Sequence, residues 1–304
     1  MEVIQTETYD VIIIGGSYAG LSSGLALGRS RRKTLIIDAG DPCNKLTPHS
    51  HNFLTQDGVP PAKIASIAKE QVLAYPTVSW HSDFVDNLKI TDGLLQVTTA
   101  DKSTFIGRKL IIATGLKDML PEIPGFKECW GKTIIHCPYC HGYEYRDEKT
   151  GIVASGEQAM EIVRLIDHWT KDLTLYLNGE NDLTDDHRKL IANNKVRIVD
   201  TKIQEAVHKD GKLQYLIMED GSRADLVALY ARVPTQQKLR GVEEFGCDLT
   251  EMGLIKVDMF GRTTVEGVYA VGDCAHPMRS IATAVYTGNI AGAMINKELI
   301  DEDF

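Results

Sequence analysis

The apolar positions of this chain change period in a regular order. YDVIIIGG begins as a continuous apolar run, the pattern of a strand buried on both faces, and then meets a glycine turn. LSSGLALGR follows with apolar residues at helical spacing, and KTLIIDAG is a second apolar run that ends in Asp38. Strand, turn, helix and strand make one βαβ unit. KLIIATG (109–115) is another apolar strand, ending in Thr114 and Gly115. GVYAVGDCA (267–275) ends in Gly272 and Asp273 and leads into RSIATAVYTGNIAGAMI, a helix rich in small residues. In mid-chain, TGIVASGEQAMEIVRLIDHW and DLTLYLNGE repeat strand, turn, helix, strand. The predicted fold class is α/β.

The first turn carries chemistry. Gly15 permits a tight reversal and Gly20 lets the helix approach the strand, while N–H groups at the helix start present positive charge to a pyrophosphate. Gly16, Tyr18 and Ala19 complete the loop, and Asp38 is placed to accept from a ribose diol. Ser17 departs from G-x-G-x-x-G at the middle glycine, so the loop must tolerate a small side chain there.

Composition narrows the partners. The chain has 304 residues, enough for roughly two domains, with 43% hydrophobic and 25% charged residues and no low-complexity run. Net charge is −9, and the basic clusters RSRRK (29–33) and HRK (187–189) are short, which argues against nucleic-acid and anionic-membrane partners. No apolar run is long enough to span a bilayer. MEVIQTETYD lacks a basic segment leading into an apolar stretch, so it does not read as a secretory leader and the chain is expected in the cytoplasm. In that compartment the six cysteines are expected to be thiols, except where a pair has a redox role. Cys43, Cys129, Cys247 and Cys274 are scattered and read as small buried hydrophobes.

HCPYCHGYE (136–144) is the densest chemical segment. C-x-x-C-H could attach haem, but that chemistry belongs to exported proteins. Zinc would need a second ligand pair, and four ligands crowded into six consecutive residues do not wrap a tetrahedron easily. A redox dithiol asks least: two cysteines two residues apart, stiffened by Pro138, at a helix start that lowers a thiolate pKa. A pair of inert buried thiols is the remaining alternative.

Together, the first βαβ unit, ATG, GD with its following helix, and CPYCHGYE resemble the low-molecular-weight thioredoxin reductases, FAD-dependent pyridine nucleotide-disulfide oxidoreductases. The last motif resembles the subgroup of gliotoxin- and holomycin-type dithiol oxidases and their bacterial relatives. The resemblance implies two Rossmann-like, three-layer nucleotide-binding domains, the second inserted into the first. The FAD domain would comprise 1–118 and 241–304, with a CxxC-bearing insert at 119–240 and hinges near LPEIPG (120–125) and RVPTQQKLRG (232–241). It places FAD against Gly15, Gly16, Ser17, Tyr18, Ala19, Gly20, Asp38, Thr114, Gly115, Gly272, Asp273, Ser280, Ile281 and Ala282. It makes Cys140 the flavin-proximal thiolate, Cys137 the sulfur that exchanges with substrate, and His141, standing where thioredoxin reductases carry an aspartate, the general acid/base. Glu144 would orient His141 or share its proton. His136 reads as structural.

The electron donor is less defined. In ASGEQA, Ala154 replaces the first glycine, Gly156 keeps the middle one and Ala159 is an accepted third, so a pyrophosphate is expected to fit. Asn178, Gly179 and Glu180 stand where thioredoxin reductases carry basic residues for the 2′-phosphate, and a carboxylate there repels it unless Arg188 or Lys189 folds back. NADPH, NADH, ferredoxin and the substrate dithiol itself all stay open as donors. The expected activity is thiol–disulfide oxidoreduction between flavin and a thioredoxin-like protein or a small dithiol/disulfide, in a homodimer. An oxygen-dependent dithiol oxidase and a non-enzymatic flavin redox sensor are the alternatives.

Overall fold

The computed structural model describes residues 8–180 and 182–304. The first seven residues of the N-terminal segment, read above as no secretory leader, lie outside them. One compact unit runs up to Lys45 and includes Pro61–Lys117 and Thr235–Phe304; the other comprises Leu46–Pro60 and Asp118–Pro234.

The first unit is built on a seven-stranded sheet in the order Val78–His81, Thr34–Ile37, Thr8–Ile14, Thr104–Ile112, Leu94–Thr99, Val85–Thr91, with Val268–Ala270 also paired to Thr104–Ile112. The central strands are parallel, Ile14 lying opposite both Ile37 and Ile112, and Ile112 opposite Ala270. Their carboxyl ends therefore line one edge, where open α/β sheets bind ligands. Ile12, Leu110, Ile112 and Ala270 are fully buried, as the uninterrupted apolar runs require. Helices Tyr18–Arg29 and Ile281–Asp303 pack closely, with Ser23 Oγ donating to the Gly288 carbonyl at 2.9 Å and Ser22 Oγ to that of Val285 at 2.7 Å. A side chain at Gly288 would put its Cβ 2.1 Å from the Ala19 carbonyl oxygen, so the small residues of the last helix set this approach.

In the second unit a five-stranded parallel sheet runs Arg197–Val199, Leu173–Tyr176, Thr150–Val153, Ala228–Ala231, Ile134–Ile135. Helices Gly156–Ile166 and Asp185–Asn193 belong to it, as does an antiparallel sheet of Ile203–Lys209, Lys212–Met218 and Arg223–Asp225. Both units thus carry the parallel α/β sheet of a Rossmann-like fold, the second interrupting the first.

Two boundaries differ from the sequence expectation. The chain leaves the first unit between Lys117 and Asp118, through the short strand Leu116–Asp118 paired with Thr235–Gln237, ahead of LPEIPG. LPEIPG is no hinge. Leu120 and Ile123 pack on the second unit's core, and a Cβ on Gly125 would lie 1.9 Å from the Ala206 carbonyl oxygen. Residues 46–60, expected with the FAD domain, group instead with the second unit. No helix among the described residues is long and apolar enough to cross a membrane.

Candidate active site

The turn after Thr8–Ile14 has the strain its glycines predict. Gly15 adopts φ +107°, and a Cβ there would meet the Ala113 carbonyl oxygen at 2.3 Å. At Gly20 a Cβ would stand 1.8 Å from the Gly15 carbonyl oxygen, so only glycine lets the helix begin this close to the strand. Asp38 accepts from the N–H of Gly16 at 2.8 Å and of Gly40 at 3.2 Å, which fixes its carboxylate beside the loop. Ser17 is the N-cap of Tyr18–Arg29 but makes no side-chain cap bond, leaving the first-turn N–H groups to an anion. The Tyr18 ring turns inward, its hydroxyl donating to the Pro61 carbonyl at 3.1 Å.

The two later segments meet this loop. A Cβ on Gly272 would lie 2.9 Å from Cβ of Ala19, and the Gly272 N–H donates to Thr287 Oγ1 at 3.1 Å. Asp273 is held by Arg279 Nε at 3.3 Å, with Cys43 Sγ 3.7 Å away. Cys43 is exposed, against the expectation of burial. Ser280 caps Ile281–Asp303 through the Thr283 N–H at 3.1 Å, bringing Ile281 and Ala282 to the positive end of a long helix. Thr114 Oγ1 is buried and has no hydrogen-bond partner among the described residues, and Gly115, at φ +67°, faces open space. A buried hydroxyl without a partner is costly unless a ligand completes it. With the glycine gaps and the oriented carboxylates, this set fits FAD. The sequence reading missed Trp80, whose ring would lie 2.1 Å from a Cβ on Gly16 and so walls one side of the loop.

In the second unit, Ile134–Ile135 delivers His136 and Cys137 from its carboxyl end, and Cys137 and Cys140 are disulfide-bonded with Cα atoms 5.3 Å apart. Pro138 opens a helix of four residues, Pro138–His141, followed by a 3₁₀ turn at Tyr143–Tyr145. The helix start expected here is thus a single turn. It supplies local N–H groups, Cys140 and His141 both donating to the Cys137 carbonyl, but little macrodipole. Gly142 is obligatory, since a Cβ would lie 2.5 Å from the Pro138 carbonyl oxygen. His136 stacks on Trp130 with ring centres 6.0 Å apart, in keeping with a structural role.

His141 is largely buried. Burial depresses its pKa to about 4; Glu144 pulls it upward and His51 pushes it further down. Desolvation therefore keeps the imidazole neutral at pH 7. Glu144 lies 3.5 Å from His51 Nε2, a residue that no local motif singled out. The thiols of Cys129 and Cys247 are pushed up by burial, and that of Cys274 to about 12, so these three are inert beside the disulfide pair.

The second glycine turn is occupied by protein. Gly156, at φ +53°, donates its N–H to Asp182 Oδ1 at 2.8 Å, the N–H at the position where a middle glycine faces pyrophosphate. In this structure that donor is held by a carboxylate. Arg188 does not fold toward a 2′-phosphate but pairs with Asp200 at 2.5 Å, and Lys189 lies 3.4 Å from Asp186. The neighbouring cavity of about 580 Å³ is lined by Gly179, Glu180, Leu183, Asp185, Arg188 and Asp200, three acids against one arginine.

The fold and these sites define an FAD-linked disulfide oxidoreductase of two nucleotide-binding units. The family model for pyridine nucleotide-disulphide oxidoreductases matches residues 9–288, and the chain belongs to that family. It is similar to a thioredoxin reductase of Claviceps purpurea, 33% identical over 96% of this chain and 94% of the relative. Among solved structures it resembles an oxidoreductase from Agrobacterium tumefaciens, with TM-score 0.91 and 36% identity over 97% of this chain and 99% of that one. HlmI gives TM-score 0.91 with 30% identity over 97% and 94%. The chain is a thioredoxin reductase-like enzyme, and FAD is its cofactor.

Proposed function

We propose that this protein oxidises small dithiols to disulfides, with the substrate as electron donor and dioxygen as final acceptor, so that R(SH)₂ and O₂ give RS₂ and H₂O₂. The observation that carries this direction is the Asp182 carboxylate on the Gly156 N–H, which denies a reduced dinucleotide its phosphate donor in the second unit. Likeness of the CPYCHGYE segment to the dithiol oxidase subgroup supports the same direction.

In this reading neutral His141 takes the proton of a substrate thiol, and the thiolate attacks Cys137, breaking its bond to Cys140. The second substrate thiolate displaces Cys137, the substrate leaves as a disulfide, and the electron pair rests on the two cysteines. FAD, when bound, supplies the two-electron acceptor for that pair. Gly15 to Gly20 and Asp38 hold its adenosine diphosphate portion; Thr114, Gly115, Gly272, Asp273 and Ser280 to Ala282 hold the remainder. A homodimer in the cytoplasm goes with this reading.

The experiment is an anaerobic titration of the purified yellow protein. Dithiothreitol is expected to bleach the flavin band stoichiometrically, NADPH and NADH to leave it unchanged, and readmitted air to restore it. Stoichiometric bleaching by NADPH would show a reductase of the kind that the relatives' names describe, and would end the oxidase reading.

A further inference from the structure

The strand Thr235–Gln237 brings the chain back into the first unit, paired with Leu116–Asp118, which directly follows Thr114 and Gly115. Gln237 stands at its end with its amide fixed. Nε2 donates to the Gly253 carbonyl at 2.8 Å and to the Cys274 carbonyl at 2.9 Å, so both amide hydrogens are used. Turning the amide over would set Oε1 against two carbonyl oxygens, which leaves one orientation. In that orientation Oε1 is buried and has no hydrogen-bond partner among the described residues. An acceptor buried without a donor is unfavourable, so one held in a fixed direction marks a place where a ligand completes the bond. The surroundings say which ligand. Cys274 directly follows Asp273, and its Sγ donates to the Ile112 carbonyl at 3.4 Å, just ahead of Thr114 in the chain. Gln237 thus lies where the segment ending in Thr114 and Gly115 meets Gly272–Cys274, and Thr114 Oγ1 in the first of these is itself a buried polar atom without a partner among the described residues. An amide oxygen only accepts, so its partner must carry a hydrogen. The ring N3–H and the ribityl hydroxyls of FAD do; its pyrophosphate and ring carbonyls do not. Lys238, next in the chain, donates from Nζ to the Asp41 carbonyl and stands 3.1 Å from Asp41 Oδ2, so the same stretch also fastens the loop beyond Asp38.

We propose that Gln237 is a cofactor-binding residue whose Oε1 accepts a hydrogen bond from the flavin half of FAD, from the ring N3–H or from a ribityl hydroxyl. The inference rests on the placement of FAD given above and is independent of the direction in which electrons flow. Gly253 and Cys274 hold the amide before the ligand arrives, so binding costs no rotamer freedom at Gln237.

The test compares full-length wild type, Gln237→Met and Gln237→Asn. Methionine fills a similar space without an amide oxygen, and asparagine draws the oxygen back by one methylene. FAD release from the holoenzyme is followed by the rise of flavin fluorescence after dilution, and Kd is measured by reconstituting the stripped chain with FAD or with 3-methyl-FAD. Both variants are expected to release FAD about 10-fold faster and to bind it about 10-fold more weakly, with a correspondingly smaller rise in melting temperature on adding FAD. If the ring N3–H is the donor, wild type binds 3-methyl-FAD no more tightly than Gln237→Met does. If a ribityl hydroxyl is the donor, the gap between wild type and Gln237→Met persists with the analogue. Unchanged release and Kd in the variants, with the melting temperatures of FAD-free and loaded protein moving in parallel, would show a structural amide whose oxygen only water meets, and overturns the proposal. A wild-type chain that retains no FAD defeats the placement of the cofactor itself, and the role of Gln237 with it.

Discussion

At the scale of single residues, His141 decides how the redox turn answers to pH. Its folded pKa of about 4 lies below its ordinary 6.5, so between these values the unfolded chain binds a proton that the folded chain refuses. The stabilisation is complete above pH 6.5 and is lost as pH falls toward 4; for a shift of this size it is on the order of 3 kcal/mol. His141→Gln should therefore lose less stability than wild type between pH 7.5 and pH 5 in urea unfolding. Parallel losses would mean that His141 does not titrate as its burial requires. Cys140→Ser should keep its yellow colour yet no longer bleach with dithiothreitol, because the exchange needs both sulfurs; normal bleaching would remove the pair from the electron path. That Cys137 and Cys140 could form a disulfide was legible from their spacing, whereas a redox role was only implied by the family resemblance. The protonation state of His141 was not legible, because desolvation depends on what packs above a residue rather than on its neighbours in sequence.

At the scale of elements, the close approach of Tyr18–Arg29 and Ile281–Asp303 carries the FAD loop. Gly288→Val would drive a side chain into the Ala19 carbonyl oxygen, now 2.1 Å from an ideal Cβ, and backbone cannot yield as a side chain can. The expected cost is about 1–3 kcal/mol, seen as a lower melting temperature and weaker retention of FAD on gel filtration. Unchanged FAD retention would show that this helix pair does not shape the loop. Alternating apolar runs and glycine turns made both βαβ units readable, since strands buried on both faces and tight turns each leave a local mark. The redox helix proved shorter than its Pro138 start suggested because Gly142 turns the chain into a 3₁₀ segment after one turn.

For the whole molecule, ligand linkage is the sharpest check on the proposed division of labour. FAD binds the folded state only, so saturating cofactor should stabilise the first unit by about 4 kcal/mol at a thousandfold excess over Kd. Hydrogen exchange of holo and apo protein should show that protection concentrated at 15–20, 113–115 and 271–282; protection confined to the second unit would refute the assignment. What the sequence by itself determined is the order of the elements, the glycine turns and the closely spaced cysteine pair, because each is written in residues adjacent or regularly spaced along the chain. Tertiary structure alone decided that Asp182 caps the second glycine turn, that residues 46–60 join the unit bearing the disulfide, and that His51 stands beside Glu144. Those are meetings between residues far apart in the chain, fixed by how sheets and loops pack, and no local period or spacing encodes them.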